Sequence, residues 1–397
     1  MQQATVRDLE TRGKRVLVRV DYNVPLEETR VTDDTRIVAS LPTLRHLLEQ
    51  KAAVVLMSHL GRPKGKVNPK YSLKPAAERL AELLGRPVKM APDCVGPEAL
   101  AMKLALEPGE VLLLENLRFH PEEEANDRDF ARQLSEGCEQ YVNDAFGAAH
   151  RAHASTAAVA EFLPAVAGLL MERELTELSN LLTQPERPFV AILGGAKVAD
   201  KIAVLESLVE KADTILIGGG MSFTFLKARG KEIGRSLLDD VQQAEKVEQA
   251  ARARGTEILL PVDVVVAPEI KEGVPTRTVS VDEIPADLMG LDIGPETARI
   301  FADKIKSART IFWNGPQGVF ETPPFDIGTR AIATAVAESA GRSCVGGGDS
   351  VAAITQMNLA EKVTHVSTGG GASLEFLEGR DLPGVTALKT RAALGGR

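Results

Sequence analysis

The fold is decided by a pattern that first appears at residues 16–23, where Val16-Leu17-Val18-Arg19-Val20 is followed by Asp21-Tyr22-Asn23. A short apolar, β-branched run predicts a strand, and polar side chains stand where that strand ends. The same succession recurs through the chain between stretches of helical spacing. This alternation is typical of an α/β protein with mainly parallel sheets.

The length of the chain indicates how many domains it forms, and its net charge limits the kinds of ligand it can bind. Its 397 residues exceed the roughly 250 to 300 that one hydrophobic core supports, so two domains are predicted. The net charge of -8 opposes general binding to nucleic acid or acidic lipid. We therefore expect small-molecule ligands held by local clusters, with no nucleic-acid or membrane partner.

Cysteine usage and hydropathy favour a cytoplasmic protein. Cys94, Cys138 and Cys344 lie far apart without zinc-ligand or redox spacing, so neither a disulfide framework nor a metal knuckle is predicted. No apolar run approaches the ~18 residues that suggest a spanning helix.

The strands of the first half end in cationic and polar residues. Examples are Ser58-His59-Leu60-Gly61-Arg62 and Glu115-Asn116-Leu117-Arg118. Guanidinium groups grip carboxylates and phosphates bidentately, which indicates a small, multiply anionic ligand. The alternative for any single arginine is a surface position over apolar neighbours. The candidates are Arg36, Arg62, Arg118, Arg151, His59 and His150, with Asp21 and Asn23 accepting from substrate hydroxyls.

The strands of the second half end in glycine. Gly194-Gly195-Ala196-Lys197, Asn314-Gly315-Pro316 and Gly346-Gly347-Gly348-Asp349 are three such exits. Bare backbone lets a base or phosphate chain approach closely, although each glycine run is also compatible with a plain turn. Neither a Walker A loop nor the G-x-G-x-x-G fingerprint occurs.

Two lysines and one aspartate in these exits are candidates for nucleotide binding. Residues 194–201 are predicted to open a helix that places Lys197 and Lys201 side by side, where a polyphosphate would relieve their repulsion. The alternative is that both are simply solvated. Asp349 is a candidate Mg²⁺ ligand, or alternatively the N-cap of a helix over 351–357.

A helix is predicted between the two halves. Met171, Leu175, Leu178 and Leu182 form one apolar stripe at helical spacing, and Pro185 and Pro188 close the segment. Trp313 ends an apolar run and is predicted to lie in the core.

Five strings of the chain, in this order, closely resemble phosphoglycerate kinase. They are Arg19-Val20-Asp21-Tyr22-Asn23-Val24-Pro25, Ser58-His59-Leu60-Gly61-Arg62-Pro63, Gly194-Gly195-Ala196-Lys197-Val198-Ala199-Asp200-Lys201, Trp313-Asn314-Gly315-Pro316 and Ser367-Thr368-Gly369-Gly370-Gly371. The similarity runs essentially end to end. Gln317 departs from the family pattern, because an apolar residue is common at that position.

The resemblance implies a fold of two lobes, each a mainly parallel Rossmann-like sheet flanked by helices, joined by the inter-domain helix. Together with the helical stripe it predicts an N-terminal domain at 1–170, the helix at 171–185 and a C-terminal domain at 186–378. Residues 379–397 are expected to return to the first domain. A monomer is expected.

The resemblance also implies reversible, in-line phosphoryl transfer between 1,3-bisphosphoglycerate and ADP, giving 3-phosphoglycerate and ATP in glycolysis and gluconeogenesis, with Mg²⁺. The implied substrate residues are Asp21, Asn23, Arg36, His59, Arg62, Arg118 and Arg151. The implied nucleotide residues are Ala196, Lys197, Lys201, Gly219, Gly290, Leu291, Asn314, Glu321, Gly347, Gly348, Asp349 and Ser350, with Asp349 as the metal ligand.

Catalysis is assigned to groups that neutralise charge on the transferring phosphoryl group: Arg36, Lys197 and the backbone of Gly347 and Gly348. Transfer requires reacting atoms within about 3 to 3.5 Å and exclusion of water, so hinge-bending closure is expected. A nicotinamide dehydrogenase and a non-catalytic nucleotide-binding protein are the alternative classes.

Overall fold

A computed structural model describes residues 3–394 and divides them into two compact units. Unit 1 contains the described residues up to Thr176 and those from Asp381 onward, and unit 2 is Glu177–Arg380. Among the described residues, no helix is both long enough and apolar enough to cross a membrane.

Unit 1 is built on a six-stranded parallel sheet in the order β5-β6-β4-β1-β7-β8, and β2 and β3 form a small antiparallel pair. Its described strands, β1–β8 in chain order, are Arg15–Arg19, Leu26–Glu27, Arg30–Val31, Ala53–Met57, Val88–Met90, Val111–Leu113, Gln140–Asn143 and Ala165–Ala167.

Five helices of unit 1 precede the link to unit 2. In chain order α1–α5 are Thr35–Glu49, Lys74–Leu84, Pro97–Leu104, Pro121–Glu124 and Arg128–Ser135. Helix α2 begins with a proline at its first turn and ends at Gly85, whose left-handed conformation terminates it. Its buried face, Ala76, Ala77 and Leu80, joins the core above β1 and β4.

The sheet of unit 1 is covered on both faces. Val16 and Val18 belong to the core that includes α1 and α2, while Leu17 and Val55, which point the other way, are also fully buried. This double burial explains why its strands are continuous apolar runs rather than alternating ones.

A helix is present where the connecting helix was predicted: α6 is Leu169–Thr183, two residues earlier at each end than the predicted 171–185. Met171 and Leu178 of the apolar stripe are buried. The division between the two compact units falls inside this helix, after Thr176.

Unit 2 has a second six-stranded parallel sheet, in the order β11-β10-β9-β15-β16-β17, and an antiparallel sheet, β13-β12-β14. Its described strands, β9–β17 in chain order, are Phe189–Leu193, Thr214–Ile217, Glu257–Leu259, Asp263–Ala267, Arg277–Ser280, Met289–Ile293, Thr310–Asn314, Arg342–Gly346 and His365–Val366. The expected α/β fold with two mainly parallel sheets is confirmed. Trp313 on β15 is fully buried, as predicted.

The helices of unit 2 flank its parallel sheet. In chain order α7–α13 are Ile202–Val209, Gly219–Ala228, Val241–Arg254, Pro295–Ser307, Ile327–Glu338, Gly348–Gln356 and Gly371–Leu377. Short 3-10 turns occur in both units, at Val6–Asp8, Pro69–Tyr71, Leu117–Phe119, Phe146–Ala148, Ala158–Glu161, Ala199–Lys201 and Ala360–Lys362.

The segment after unit 2 packs on unit 1. It contains α14, Pro383–Thr386, and α15, Arg391–Leu394. Backbone hydrogen bonds join Gly384 N to Ala149 O at 2.8 Å and Lys389 N to Ala165 O at 3.0 Å. These bonds tie the segment to the residue after the 3-10 turn at Phe146–Ala148 and to the first residue of β8.

Candidate active site

The candidate substrate residues of unit 1 follow the carboxyl ends of its strands. Strand β1 lies between β4 and β7, and the chain fills one side of β1 before it crosses to the other. Ligands of open α/β sheets bind outside the carboxyl ends of strands at such a switch point. Asp21 follows β1 and His59 follows the neighbouring strand β4, so both residues lie beside this switch point.

Asp21 and Asn23 organise this edge. Asp21 Oδ2 accepts a hydrogen bond from Arg36 Nη1 at 3.0 Å, and its Oδ1 accepts from Asn23 N at 3.2 Å. Asn23 Oδ1 accepts from Gly61 N at 2.8 Å. Arg36 stands in the first turn of α1 with 37% of its side chain exposed. The guanidinium is therefore oriented by Asp21 and still accessible to a ligand.

His59 is a buried, neutral histidine surrounded by arginines. Its Nδ1 lies 3.1 Å from Arg19 Nη2. Because guanidinium groups only donate, Nδ1 accepts and the ring proton resides on Nε2. Burial and the charges of Arg19, Arg118, Arg36 and Arg151 hold the pKa of His59 well below its ordinary value. His59 is thus kept as a neutral hydrogen-bond donor.

A buried carboxylate opposes this positive charge. Glu123 is fully buried and accepts from Ser155 N at 2.9 Å and from Ser155 Oγ at 2.5 Å. It lies 4.0 Å from Arg19 Nη2 and 3.9 Å from His153 Nδ1. Burial raises the pKa of Glu123, while the Arg19 charge lowers it. Arg19, Glu123 and Ser155 form a network beneath the site.

Arg19 and Glu123 are missing from the residues predicted from the sequence. Arg19 stands at the end of an otherwise apolar strand, β1, and is fully buried. A cation in a buried parallel strand is itself a signal, since such a charge needs a buried partner.

The remaining arginines differ in their surroundings. Arg118 is buried, donates from Nη1 to Gly61 O at 2.9 Å, and places Nε 3.2 Å from Glu124 Oε1. Arg151 Nε donates to His150 Nε2 at 3.1 Å. Arg62 is exposed, and among the described residues no hydrogen bond joins it to the others. The structure therefore brings together Arg36, Arg118 and Arg151 around His59.

The glycine exits of unit 2 meet between β9 and β15, the switch point of its sheet. Gly194 N donates to Asn314 O at 3.1 Å and Gly195 N donates to Pro316 O at 3.1 Å. A Cβ on Gly194 would lie 2.0 Å from the carbonyl oxygen of Pro316. Glycine is therefore required here for backbone packing.

The prediction that Lys197 and Lys201 share the first turn of one helix is wrong. Lys197 lies before a 3-10 turn at Ala199–Lys201, and α7 begins only at Ile202. Lys201 turns inward, and its Nζ donates to Gly194 O at 2.6 Å and to Asn314 O at 2.9 Å. Burial lowers the pKa of Lys201 to about 8. Lys197 is exposed, so the two lysines have different environments.

Helix α12 begins at the glycine run after β16. Its N-cap is Gly347, with φ of +87°, where a Cβ would lie 2.6 Å from Asn314 Nδ2. Asp349 therefore stands in the first turn, and the alternative that it is the N-cap is excluded. Ser350 Oγ accepts a hydrogen bond from Gly315 N. The first N–H groups of a helix are ready anion ligands, and Gly348 and Asp349 are exposed.

The other predicted nucleotide residues lie on neighbouring segments of unit 2. Gly219 N donates to Gln317 O at 3.0 Å, and Gly290 N donates to Ser236 Oγ at 2.9 Å. Leu291 O accepts from Val319 N at 2.9 Å. Ala196 and Glu321 are exposed.

Gln317, the departure from the family pattern, is fully buried. Its backbone N donates to Thr329 Oγ1 at 2.9 Å, and its Nε2 lies 3.3 Å from Gly315 O. Its side chain thus supports the Asn314-Gly315-Pro316 turn from inside.

The residues present fit a divalent cation beside phosphates. Mg²⁺ prefers oxygen ligands and is usually held by one or two carboxylates together with substrate phosphates. Asp349 offers an exposed carboxylate in the same helical turn whose N–H groups suit phosphate.

Comparisons with known proteins agree with the resemblance found in the sequence. The sequence profile of the phosphoglycerate kinase family matches residues 6–380. The phosphoglycerate kinase of Moorella thermoacetica is 59% identical over 390 residues, covering 98% of this chain and 99% of the relative. That of Pelotomaculum thermopropionicum is 57% identical over 390 residues, with the same coverage of 98% and 99%.

A solved structure has the same fold over nearly the full length of this chain. The phosphoglycerate kinase from Coxiella burnetii superposes with a TM-score of 0.88 at 42% identity, covering 97% of this chain and 98% of that one. The chain therefore belongs to the phosphoglycerate kinase family, kinases that use ATP and ADP and transfer phosphate to the carboxyl group of 3-phosphoglycerate.

Proposed function

We propose that the two strand-end clusters divide the substrates of this reaction between them. The cluster of unit 1 holds 3-phosphoglycerate or 1,3-bisphosphoglycerate, and the glycine-lined cluster of unit 2 holds Mg-ADP or Mg-ATP. The observation that carries the assignment is the concentration of positive charge around the neutral His59: its burial and the charges of four arginines lower its pKa. A ligand with several negative charges relieves their mutual repulsion.

The residues of unit 1 take distinct roles in this proposal. Arg118, Arg151 and Arg62 bind the phosphate and carboxylate of the substrate, and the neutral His59 donates from Nε2. Asp21 and Asn23 accept from the substrate hydroxyls while they hold Arg36 and Gly61. Arg19 is fully buried, so it acts through His59 and Ser155 rather than on the ligand.

The residues of unit 2 form a phosphate cradle. The N–H groups of Gly347 and Gly348 and the exposed ammonium of Lys197 neutralise the transferring phosphoryl group. Lys201 uses two of its three N–H donors on Gly194 and Asn314, so one donor remains for a phosphate. Asp349 and the nucleotide phosphates hold Mg²⁺, which supplies charge neutralisation when bound.

The base and sugar of the nucleotide are assigned to the surrounding residues. These are Ala196, Gly219, Gly290, Leu291, Asn314, Glu321 and Ser350.

The chemical step needs no covalent nucleophile on the protein. A carboxylate oxygen of 3-phosphoglycerate attacks the γ-phosphorus of ATP in line as the bond to the ADP oxygen breaks, and the reverse direction forms ATP. Arg36 and Lys197 stabilise the transferring group by charge. Direct transfer requires reacting atoms within about 3 to 3.5 Å, so the proposal includes hinge closure during turnover.

The proposal extends to organisation and location. It assigns the acyl-phosphate substrate to a domain at 1–170, the nucleotide to 186–378, the connection to 171–185 and a returning segment to 379–397. It also includes a cytoplasmic monomer without nucleic-acid or membrane partners.

Calorimetric titration of an arginine variant tests the division of substrates. Arg151→Ala removes charge-assisted hydrogen bonds that contribute about 1.5 to 3 kcal/mol, so 3-phosphoglycerate should bind roughly 10 to 150 times more weakly. The affinity for Mg-ADP should stay unchanged. Arg128→Ala is the matched control, because Arg128 is an exposed arginine of unit 1 paired with Glu161. A selective loss of Mg-ADP binding in Arg151→Ala would overturn the division.

A further inference from the structure

Three metal-ligating side chains meet outside the proposed substrate and nucleotide residues. Asp93 and Cys94 follow β5, and His120 follows the 3-10 turn after β6. These strands are parallel neighbours in the sheet, with Val88 opposite Val111. One ligand atom each from Asp93, Cys94 and His120 lies within 4.8 Å of the other two.

The three side chains are already oriented toward one another. His120 Nε2 lies 2.6 Å from Asp93 Oδ1, and the same oxygen accepts from Cys94 N at 2.6 Å. The His120 ring packs against Phe130 with centroids 5.2 Å apart, which supports its orientation. The ligand directions are therefore set by packing and hydrogen bonds before any ion arrives.

The three side chains of the cluster differ in their exposure to solvent. Cys94 is fully buried, whereas the side chains of His120 and Asp93 are 27% and 46% exposed. An ion from solvent would thus meet the carboxylate and imidazole first and the sulfur last.

Space for entry and for a further ligand is present on the Asp93 side. Asp93 lines a cavity of about 250 Å³ together with Ser72, Glu115, Pro92 and Phe119. Both oxygens of Glu115 accept hydrogen bonds from Ser72 Oγ, Leu73 N and Asn116 N. The cavity can hold water, and its two carboxylates favour a cation.

We propose that Asp93, Cys94 and His120 form a binding site for a borderline-soft divalent ion of the Zn²⁺ class, with a cavity water as the fourth ligand. A thiolate, an imidazole and a carboxylate are the donors that Zn²⁺ uses, and three protein ligands with one open position are a recurrent tetrahedral arrangement. Ligand bonds to such an ion are about 2.0 to 2.3 Å long, so His120 Nε2 and Asp93 Oδ1, which now lie 2.6 Å apart, must separate to admit it.

Binding exchanges protons for the metal. The Cys94 thiol loses its proton to solvent as the sulfur–metal bond forms, and the proton held between His120 Nε2 and Asp93 Oδ1 is also released to solvent as the ion takes its place. Cys94 and His120 are distant in sequence and are brought together by the pairing of β5 with β6, so residue spacing alone does not predict the site.

Titration of the full chain with Co²⁺ alone, followed by absorption spectroscopy, tests the proposal. Cobalt bound to a thiolate in a tetrahedral site gives a near-ultraviolet charge-transfer band and strong visible bands. Both should saturate at one equivalent of Co²⁺ and disappear when Zn²⁺ displaces it. Cys94→Ala should lose the charge-transfer band, and His120→Gln should lose tight binding while the sulfur is retained.

The other two cysteines provide matched controls. Cys138→Ala and Cys344→Ala should keep the spectrum of the parent protein, and circular dichroism should verify that Cys94→Ala and His120→Gln are folded. Retained ATP formation by Cys94→Ala gives a second check of folding. Absence of the charge-transfer band in the parent protein, or its persistence in Cys94→Ala, would overturn the proposal, as would Co²⁺ binding with octahedral spectra only.

Discussion

Substitution of Lys201 by methionine should destabilise unit 2 by removing a buried cross-link between two strand-end loops. Lys201 Nζ donates to Gly194 O after β9 and to Asn314 O at the end of β15. Methionine keeps an apolar stem of similar length but has no donor. The change therefore isolates the ammonium from the packing of the side chain.

The expected loss follows from the partners that remain. Gly194 is buried, so leaving its carbonyl oxygen without a donor should cost about 1 to 3 kcal/mol of stability. Asn314 O still accepts a hydrogen bond from Gly194 N, so the loss of its bond to Lys201 should cost only about 0.5 to 1.5 kcal/mol. Burial lowers the pKa of Lys201 to about 8, so removing the charge recovers part of the loss. The net decrease in the free energy of unfolding should be about 2 to 3 kcal/mol.

Urea unfolding followed by tryptophan fluorescence measures this effect. Trp313 is the sole tryptophan of the chain and is buried on β15, so its emission reports on unit 2. Lys197→Met is the matched control, because Lys197 is exposed and its replacement should change stability by less than about 0.5 kcal/mol. Equal unfolding midpoints for the two variants would refute the structural role of Lys201.

Three further predictions concern catalysis and pH. Arg36→Ala and Lys197→Ala should each lower kcat far more than they raise KM for either substrate, because both groups meet the transferring phosphoryl group mainly in the transition state; steady-state kinetics showing only a KM effect would contradict this. Asp349→Ala should lose most turnover with an almost unchanged unfolding free energy, since Asp349 is not the N-cap of α12; a loss of stability by about 1 kcal/mol with intact turnover would reverse the assignment. Burial and nearby arginines lower the pKa of His153 to about 4, so the unfolded chain takes up a proton at its ordinary pKa of ~6.5 while the folded chain stays neutral. Stability is therefore lost as the pH falls, and denaturation followed by circular dichroism should show the parent losing about 2 kcal/mol more than His153→Gln between roughly pH 7 and pH 5; equal losses would disprove it.

The positions of the chemical groups were predictable from the sequence because parallel sheets place their ligands at strand ends. Asp21, His59 and Arg118 follow predicted strands, and the structure places them on the same sheet edge. The fold class follows from the same alternation of strands and helices. Membership of the family excludes the dehydrogenase and the non-catalytic binding protein that the pattern alone left open.

Long-range partners account for what the sequence does not predict. Lys201 does not lie on the predicted helical face, because its ammonium donates hydrogen bonds to two backbone carbonyls, one of them on β15. The buried Arg19 also relies on residues distant in sequence, because Ser155 Oγ accepts a hydrogen bond from its Nε and the Glu123 carboxylate opposes its charge. The Asp93, Cys94 and His120 cluster likewise requires the register of β5 with β6. Such contacts depend on tertiary pairing rather than on local spacing.

The central claim is tested most directly by a coupled assay for ATP formation from ADP and 1,3-bisphosphoglycerate with the purified protein. We expect ATP to form in the presence of Mg²⁺, the rate to fall to background in excess EDTA, and Mg²⁺ added beyond the chelator to restore it. Absence of ATP formation with Mg²⁺, or an undiminished rate in EDTA, would contradict the proposed division of an anionic substrate and a metal-bound nucleotide between the two clusters.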